Sequence, residues 1–437
     1  MQLVILAGGK GTRLRSRLGD LPKTLAPVGG RPILQHQIEL GRRHSFDDIL
    51  LLLGHGREAV ETWAGDGSRF PVRLHAISGP SNGTAVALLA ALPFLEPTFM
   101  VMYGDTMANV DLNRFWSEHA HRRSAVSMLI HPNDHPFDSD LVETDSCDSI
   151  IAIHAPPHIS GRDYRNQVNA GLYVFERDAL TGCRSGNAIL DIARDLLPDL
   201  LSRGVELFGY RSPEYIKDAG TPERLDAVNA DWHSGRIARG SLSTPVPAIF
   251  LDRDGTINAL VDYVRTPDAL ELLDGVGRAI RGWNAAGWRV VVVSNQPVIA
   301  RGECAVEGLL AIHNRMETLL GRDSAYVDRI YYCPHHPDGG FPDERPELKF
   351  RCDCRKPATG LIERARGELN IDVQNSWMVG DSTTDIQTAR NAGLRSILLQ
   401  TGICGQDGLY PGPPDVVAQN LVEAMHITFG RKQEAGY

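Results

Sequence analysis

Nowhere in the 437 residues does an apolar run approach the ~18 needed to cross a bilayer; runs such as Val290–Val293 are strand-sized. The opening Met1-Gln2-Leu3-Val4-Ile5-Leu6 has no basic segment ahead of its apolar stretch and runs at once into glycines. That argues against a secretory leader and makes the cytoplasm the expected compartment. A basic surplus is also missing. Lys and Arg number 45 against 54 Asp and Glu, a net charge of −9, so there is no general electrostatic reason to bind nucleic acid or an anionic membrane. Cysteine is scarce and uneven: there are seven, none before Cys147, and three (Cys333, Cys352, Cys354) crowd into one short stretch. This is not the framework of a secreted disulfide protein, and in a reducing compartment such a cluster suggests a metal.

With 42% hydrophobic and 23% charged residues the chain has an ordinary globular mix, which excludes a fibrous or largely disordered protein. At roughly 150 residues per domain its length predicts two or three domains. Strand-sized apolar runs alternate with helical patterns throughout. In the first half the strand candidates are Leu3–Leu6, Ile49–Leu53, Val72–Ile77, Phe99–Tyr103, Val126–Ile130 and Val168–Phe175, with helical patterns at Ile33–Arg43 and Thr84–Leu92. The stretch Ser234–Pro247, rich in Gly, Ser and Pro, breaks the rhythm and reads as a linker. Strands restart at Ala248–Leu251, then Arg289–Ser294, Arg329–Tyr332, Trp377–Gly380 and Ser396–Leu399, with helices at Ala358–Glu368 and Thr384–Asn391. The expectation is α/β: two domains, 1–233 and 248–430, each a mainly parallel sheet flanked by helices, with a linker at 234–247 and a frayed tail at 431–437.

Directly after the first strand comes Leu6-Ala7-Gly8-Gly9-Lys10-Gly11-Thr12-Arg13-Leu14, then Pro22-Lys23. Gly8, Gly9 and Gly11 would let backbone N–H groups approach a phosphate, with Thr12 in the same loop, and Arg13 and Lys23 bring fixed positive charge. The spacing is not that of a P-loop. A strand ending in Tyr103-Gly104-Asp105 and the turn Lys217-Asp218-Ala219-Gly220-Thr221-Pro222 add two carboxylates, Asp105 and Asp218, of the kind that holds Mg²⁺. Each Asp taken alone reads more readily as a cap or turn residue than as a ligand.

Together with Gly83-Thr84-Ala85 and Asn169-Ala170-Gly171, in this order over about residues 1–232, these stretches resemble the sugar-phosphate nucleotidylyltransferase family. The resemblance implies attack of a sugar 1-phosphate on the α-phosphate of an NTP, with pyrophosphate leaving. It implies Arg13 at the leaving pyrophosphate, Lys23 near the α-phosphate and Mg²⁺ on Asp105 and Asp218. Gly8 and Gly83 would lie near the base, and Asn169, Gly171 and Lys217 near the sugar phosphate. Many relatives have Glu-Lys-Pro where this chain has His154-Ala155-Pro156, so a lysine expected at the sugar phosphate is absent.

In the second half Ala248-Ile249-Phe250-Leu251-Asp252-Arg253-Asp254-Gly255-Thr256 is an apolar strand ending in two acids one residue apart. Such a pair can divide labour, one attacking and the other moving protons. Three further pieces follow: Ser294-Asn295-Gln296 (a hydroxyl donor), Arg355-Lys356-Pro357 (a cation) and Gly380-Asp381-Ser382-Thr383-Thr384-Asp385 (a metal acid). The set resembles the haloacid dehalogenase-type phosphatases. The resemblance makes Asp252 the nucleophile and Asp254 the acid and base. Ser294, with Asn295 beside it, and Lys356 would hold the phosphoryl group, and Mg²⁺ would sit on Asp252, Asp381 and the Asp254 carbonyl. Asp385 is expected to support rather than ligate.

Cys333-Pro334-His335-His336 and Cys352-Asp353-Cys354 supply three sulfurs and an imidazole, which suits a closed, structural Zn²⁺ site; His335 is the expected ligand and His336 its rival. This loop, with Leu251–Asn258, Ser294-Asn295-Gln296, Ala300-Arg301-Gly302, Tyr331–Pro337 and Cys352–Pro357, narrows the resemblance, over about 246–402, to phosphatases of heptose bisphosphates, and histidinol phosphatases share the same metal loop. Arg355 would then meet the substrate's second phosphate. A phosphatase that makes a sugar 1-phosphate complements a transferase that consumes one, which favours heptose and, by resemblance, GTP as the nucleotide. Two alternatives are a histidinol-phosphate-type phosphatase and a phosphatase regulated by a catalytically weak, nucleotide-sugar-sensing first domain. The expected partners are small phosphosugars and a nucleotide; homo-oligomerisation stays open.

Overall fold

The structure, a computed structural model, describes residues 1–9, 11–80, 82–183 and 190–434. Lys10 and the tail residues beyond Glu434 lie outside the described residues. The chain divides into two compact units. The first comprises Met1–His131, Asp138–Pro157 and Gln167–Leu242, and the second Pro132–Phe137, His158–Asn166 and Ser243–Tyr437. Among the described residues no helix is long and apolar enough to cross a membrane.

The first unit is built on a nine-stranded mixed sheet. Its strands are β1 (Gln2–Ala7), β2 (Asp48–Leu53), β3 (Arg73–Ser78), β4 (Thr98–Tyr103), β5 (Val126–His131), β6 (Leu141–Thr144), β7 (Ile150–His154), β8 (Val168–Glu176) and β9 (Leu207–Arg211). The order is β7-β6-β8-β4-β1-β2-β3, with β5 also pairing β8 and carrying β9. β4, β1, β2 and β3 run parallel, whereas β8 pairs antiparallel with β4 and β5. The parallel core explains the continuous apolar runs: every residue of β1 and β2 is buried, because helices cover both faces of such a sheet. Helix Ile33–Arg43 shows the complementary pattern, burying Ile33, Leu34, Gln37, Ile38 and Gly41 on one face. A separate two-stranded antiparallel ribbon pairs Tyr215–Asp218 with Thr106–Asn109, matching Asp218 to Thr106.

The second unit holds a six-stranded, wholly parallel sheet. Its strands are β10 (Ala248–Leu251), β11 (Arg289–Asn295), β12 (Arg329–Cys333), β13 (Trp377–Gly380), β14 (Arg395–Leu399) and β15 (Val416–Ala418), in the order β12-β11-β10-β13-β14-β15. β10 sits in the middle, fully buried, and its core partners include Val290, Val292, Val379, Trp283 and Ile280. The order reverses around β10, so the crevice at its C-terminal end is where such a sheet places ligands.

The stretch 234–247 is more ordered than a plain linker. It carries a short helix, Arg236–Arg239, and buries Ile237 and Leu242. Glu214, itself buried, accepts hydrogen bonds from the Leu242 N–H (2.9 Å) and the Asp111 N–H (3.0 Å). These contacts anchor a segment whose composition alone gave no apolar period.

Candidate active sites

In the second unit the functional side chains stand on the C-terminal ends of adjacent parallel strands. Asp252 follows β10, Ser294 and Asn295 end β11, and Asp381 follows β13. The Asp252 N–H donates to Val379 O (3.0 Å), which fixes the chain as it leaves the strand. Lys356 is buried (6% exposed) and bridges two acids: its Nζ lies 2.9 Å from Asp252 Oδ1 and 2.6 Å from Asp385 Oδ1. Burying an ammonium requires such pairing. Its backbone is held as well, because Asn295 Oδ1 accepts from the Lys356 N–H (2.9 Å) and Asn295 Nδ2 donates to Lys356 O (3.1 Å).

Local sequence explains Asp385. Ser382 caps helix Thr383–Ala392, and Asp385 completes the capping box, its Oδ2 accepting from Ser382 N–H (3.2 Å) and Ser382 Oγ (2.6 Å). One carboxylate oxygen therefore stabilises the helix start while the other receives Lys356.

Asp381 is clamped differently. Its Oδ2 accepts from the Ile403 N–H (2.7 Å) and its backbone O from the Gly405 N–H (2.8 Å). Gly255 and Gly402 both have positive φ (+78° and +56°) and both abut Asp381 Oδ2, so a β-carbon at either would collide with the carboxylate. One oxygen from each of Asp252, Asp381 and Asp385 lies within 4.8 Å of the others. Burial pushes Asp252 upward, with Lys356 opposing and Asp385 reinforcing the shift; burial likewise raises Asp381, to about 6. Asp252 and Asp381 are the kind of crowded, desolvated carboxylates that hold a hard divalent cation, whereas both Asp385 oxygens are already engaged by Ser382 and Lys356. Lys356 is held above its ordinary range: burial works against the charge, but Asp252 and Asp385 outweigh it.

The second acid of the pair, Asp254, is ringed by donors. Arg253 Nη2 (2.9 Å) and Gln296 Nε2 (3.0 Å) reach its Oδ2, and Asn258 Nδ2 (3.0 Å) reaches its Oδ1. Arg253 and Asn258 are fully buried. Neither these two nor Gln296 was expected from the motif, in which they sit among the spacer residues.

Beyond β12, Cys333, His335, Cys352 and Cys354 form one cluster. Their ligand atoms are 3.2–3.6 Å apart: Cys354 Sγ lies 3.2 Å from both Cys333 Sγ and Cys352 Sγ, and His335 Nδ1 lies 3.2 Å from Cys354 Sγ and 3.6 Å from Cys333 Sγ. Three thiols facing one imaginary centre with an imidazole fit a tetrahedral Zn²⁺, whose ~2.3 Å bonds to sulfur set edges only slightly longer than these. His336 turns elsewhere, accepting from the Asp338 N–H (3.2 Å) and meeting Arg301 Nη2 (3.3 Å). Arg355 Nη1 donates to His335 O (3.2 Å), tying the residue next to Lys356 to this loop.

In the first unit Lys23 Nζ lies 2.5 Å from Asp105 Oδ2. Gly220 marks where the remaining charges converge. A β-carbon there would lie 3.1 Å from Asp218 Oδ1, 3.3 Å from Asp105 Oδ2 and 3.4 Å from Arg13 Nη2. The ribbon explains the meeting, because pairing Asp218 with Thr106 sets it beside Asp105, whose O accepts from the Ala219 N–H (2.8 Å). Gly9 packs on the Lys23 side chain, Gly8 on the backbone of Gly54, and Gly11 takes φ +58° ahead of the 3₁₀ turn Thr12–Leu14. Gly83 abuts Leu190 O, so a side chain there would clash. Asn169 Oδ1 accepts from the Gly171 N–H (3.0 Å), and Gly171 (φ +70°) lies against the Tyr103 ring. Lys217 Nζ pairs with Asp231 (3.4 Å), while its neighbour Asp218 also receives Arg224 Nη1 (2.7 Å), a partner the motif did not suggest. His154, which precedes Ala155 at the place of the absent lysine, meets Glu143 Oε2 at 2.8 Å.

A family model described as nucleotidyl transferase matches residues 2–235, and one described as HAD-hydrolase-like matches residues 353–424. The D-glycero-beta-D-manno-heptose-1,7-bisphosphate 7-phosphatase of Yersinia pestis is 42% identical over 162 residues, 37% of this chain and 84% of that protein. The D-glycero-D-manno-heptose-1,7-bisphosphate 7-phosphatase of Thermosynechococcus vestitus is 38% identical over 188 residues, 41% of this chain and 94% of that protein. Among solved structures, a D,D-heptose 1,7-bisphosphate phosphatase from B. bronchiseptica, complexed with magnesium and phosphate, is 35% identical over 44% of this chain and all of that one, with a TM-score of 0.37. The chain belongs to the nucleotidyl transferase family and, in its second half, to the heptose-bisphosphate 7-phosphatase family. It is an enzyme with a sugar-phosphate nucleotidyltransferase unit and an HAD-like phosphatase unit. The nucleotidyl transferase match spans the residues that carry Arg13, Lys23, Asp105 and Asp218; the HAD-like match spans Lys356, Asp381 and Asp385.

Proposed function

We propose that the chain catalyses two consecutive steps of nucleotide-activated heptose synthesis. The phosphatase unit removes the 7-phosphate of D-glycero-D-manno-heptose 1,7-bisphosphate, and the transferase unit joins the resulting heptose 1-phosphate to a nucleotide, with GTP as donor. The observation that carries this reading is the pairing within one chain: relatives at 42% and 38% identity act on a heptose bisphosphate, and the product their name implies is a sugar 1-phosphate, the substrate class of the other family.

In the phosphatase step an Asp252 oxygen attacks phosphorus, and the bond from phosphorus to the heptose oxygen breaks. Asp254 passes its proton to that oxygen, leaving an aspartyl-phosphate and Asp254 as a carboxylate. Asp254 then takes a proton from the water that splits the aspartyl-phosphate, and inorganic phosphate leaves. Lys356 and the Ser294 hydroxyl neutralise and orient the phosphoryl oxygens, with Asn295 fixing the Lys356 backbone. Asp252, Asp381 and the Asp254 carbonyl would hold Mg²⁺, which neutralises phosphoryl charge when bound. The closed set Cys333, His335, Cys352 and Cys354 would hold Zn²⁺ structurally and keep Arg355 where it meets the substrate's second phosphate. In the transferase step Gly8, Gly9, Gly11 and Thr12 form the phosphate loop, Arg13 meets the departing pyrophosphate and Lys23 the α-phosphate. Asp105 and Asp218 would hold Mg²⁺, Gly83 borders the base, and Asn169, Gly171 and Lys217 border the sugar phosphate.

The test is mass spectrometry of products from heptose 1,7-bisphosphate with an equimolar mixture of the four NTPs. A GDP-heptose is expected. A different nucleoside diphosphate sugar would change the donor, and release of phosphate without any nucleotide sugar would favour a sensing first unit. Faster turnover of histidinol phosphate than of heptose bisphosphate would overturn the heptose assignment.

A further inference from the structure

Resting on the phosphatase reading above, the hydrogen bonds around Asp254 extend the machinery by two residues. Gln296 is buried (2% exposed), and its amide is used completely. Its Nε2 donates to Asp254 Oδ2 (3.0 Å) and to Ser294 Oγ (2.8 Å), which employs both amide hydrogens. Its Oε1 accepts from Arg253 Nη2 (3.1 Å). A primary amide can turn over by half a rotation, exchanging donor for acceptor. Arg253, which has only donors to offer and is fully buried, forbids the turned-over state by requiring oxygen on its side. The same guanidinium grips Asp254 through Nε (3.2 Å to Oδ1) and Nη2 (3.0 Å to Oδ1, 2.9 Å to Oδ2).

Two consequences follow for the reacting groups. Ser294 Oγ receives a hydrogen bond from Gln296, so its own hydroxyl proton is left to point at a phosphoryl oxygen. Asp254 is held from one side by Arg253 and Gln296 and from the other by Asn258, which fixes the carboxyl where it must meet the leaving oxygen. We infer that Gln296, oriented by Arg253, is a positioning residue that links the proton donor Asp254 to the phosphoryl-binding Ser294, so that protonation of the leaving oxygen depends on it.

Leaving-group dependence separates this role from a merely structural one. A sugar alkoxide needs a proton as it departs, whereas p-nitrophenolate departs without one. The full-length Q296L variant, nearly isosteric, is compared with wild type by kcat/KM, which ends at release of the leaving group. On heptose 1,7-bisphosphate the loss should exceed that on p-nitrophenyl phosphate by about tenfold or more, within the range general-acid catalysis supplies. An equal loss on both substrates, or none, overturns the inference. D254N serves as the control for the underlying reading: it should show the same selective loss, and an unselective D254N would sink the assignment of Asp254 itself. Should Q296L fold poorly, judged by its melting temperature, R253K probes the same link from the other end. It keeps the charge but not the fork, and is expected to show the selective loss; a uniform loss there counts against the inference.

Discussion

In the second unit the charged groups are locked to one another around a buried lysine, whereas in the first they meet as separate pairs, Lys23 with Asp105 and Arg224 with Asp218. Lys356, Asp252, Asp381 and Asp385 interlock within a few ångströms, and the neighbouring carboxyl Asp254 has three side chains dedicated to it. Arg13 is exposed, Lys23 is half-buried, and Gly8, Gly9 and Gly11 offer no side chains of their own. The proposed chemistry accounts for the difference. A phosphatase that forms a covalent intermediate needs a nucleophile and a proton donor preorganised before substrate arrives. A nucleotidyl transfer needs mainly alignment and charge neutralisation of groups that the substrates themselves bring. On the proposed function both units bind anions on a chain of net charge −9, which assigns that task to local Lys, Arg, backbone N–H groups and divalent cations.

The sharpest way to break the comparison is to remove the proposed nucleophile, Asp252. D252N should reduce phosphate release from heptose 1,7-bisphosphate by more than about 10³-fold, measured as inorganic phosphate. In the transferase, D105N removes a carboxylate that also holds Lys23, and should lower pyrophosphate release with GTP and heptose 1-phosphate by about 10²-fold while leaving phosphatase activity intact. Zinc bears on the contrast in stability. Elemental analysis should find close to one equivalent in wild type and little in C354S, and a structural metal worth a few kcal/mol predicts a fall of about 5–10 °C in the melting temperature of the phosphatase transition. Zinc far below one equivalent in wild type would remove that site from the account. The smallest effect concerns the sugar side of the transferase. A155K returns a cation at the position of the missing lysine; KM for heptose 1-phosphate should fall by about two- to tenfold, as one added charged contact allows. An unchanged KM would mean the missing lysine has no vacancy to fill.

Most of the phosphatase unit was legible because its chemistry is written in short local motifs at strand ends. Asp252, Ser294, Lys356 and Asp381 each follow or end an apolar β-run or sit in a tight turn, and the strand expectations for the unit fell within a residue of β10 to β14. What stayed hidden is non-local. Gln296 and Arg253 look like spacers until the fold closes the 42 residues between Gln296 and Asp254 and the 43 between Gln296 and Arg253. The ribbon that brings Asp218 to Asp105 joins segments more than a hundred residues apart. Strands β6 and β7 escaped because they are short and partly exposed, and β15 because it has three residues, so neither offers a clear alternation. The helix Arg236–Arg239 was masked by its Gly- and Ser-rich surroundings and by its own shortness, with Ile237 the one buried residue of its four.

The central claim is that one chain carries two independent catalytic sites acting in series on one sugar. It is tested most directly by following both reactions in D252N by mass spectrometry. The expected result is no nucleotide sugar from heptose 1,7-bisphosphate and GTP, and wild-type formation of GDP-heptose when heptose 1-phosphate is supplied instead. Loss of nucleotidyl transfer from supplied heptose 1-phosphate would contradict it.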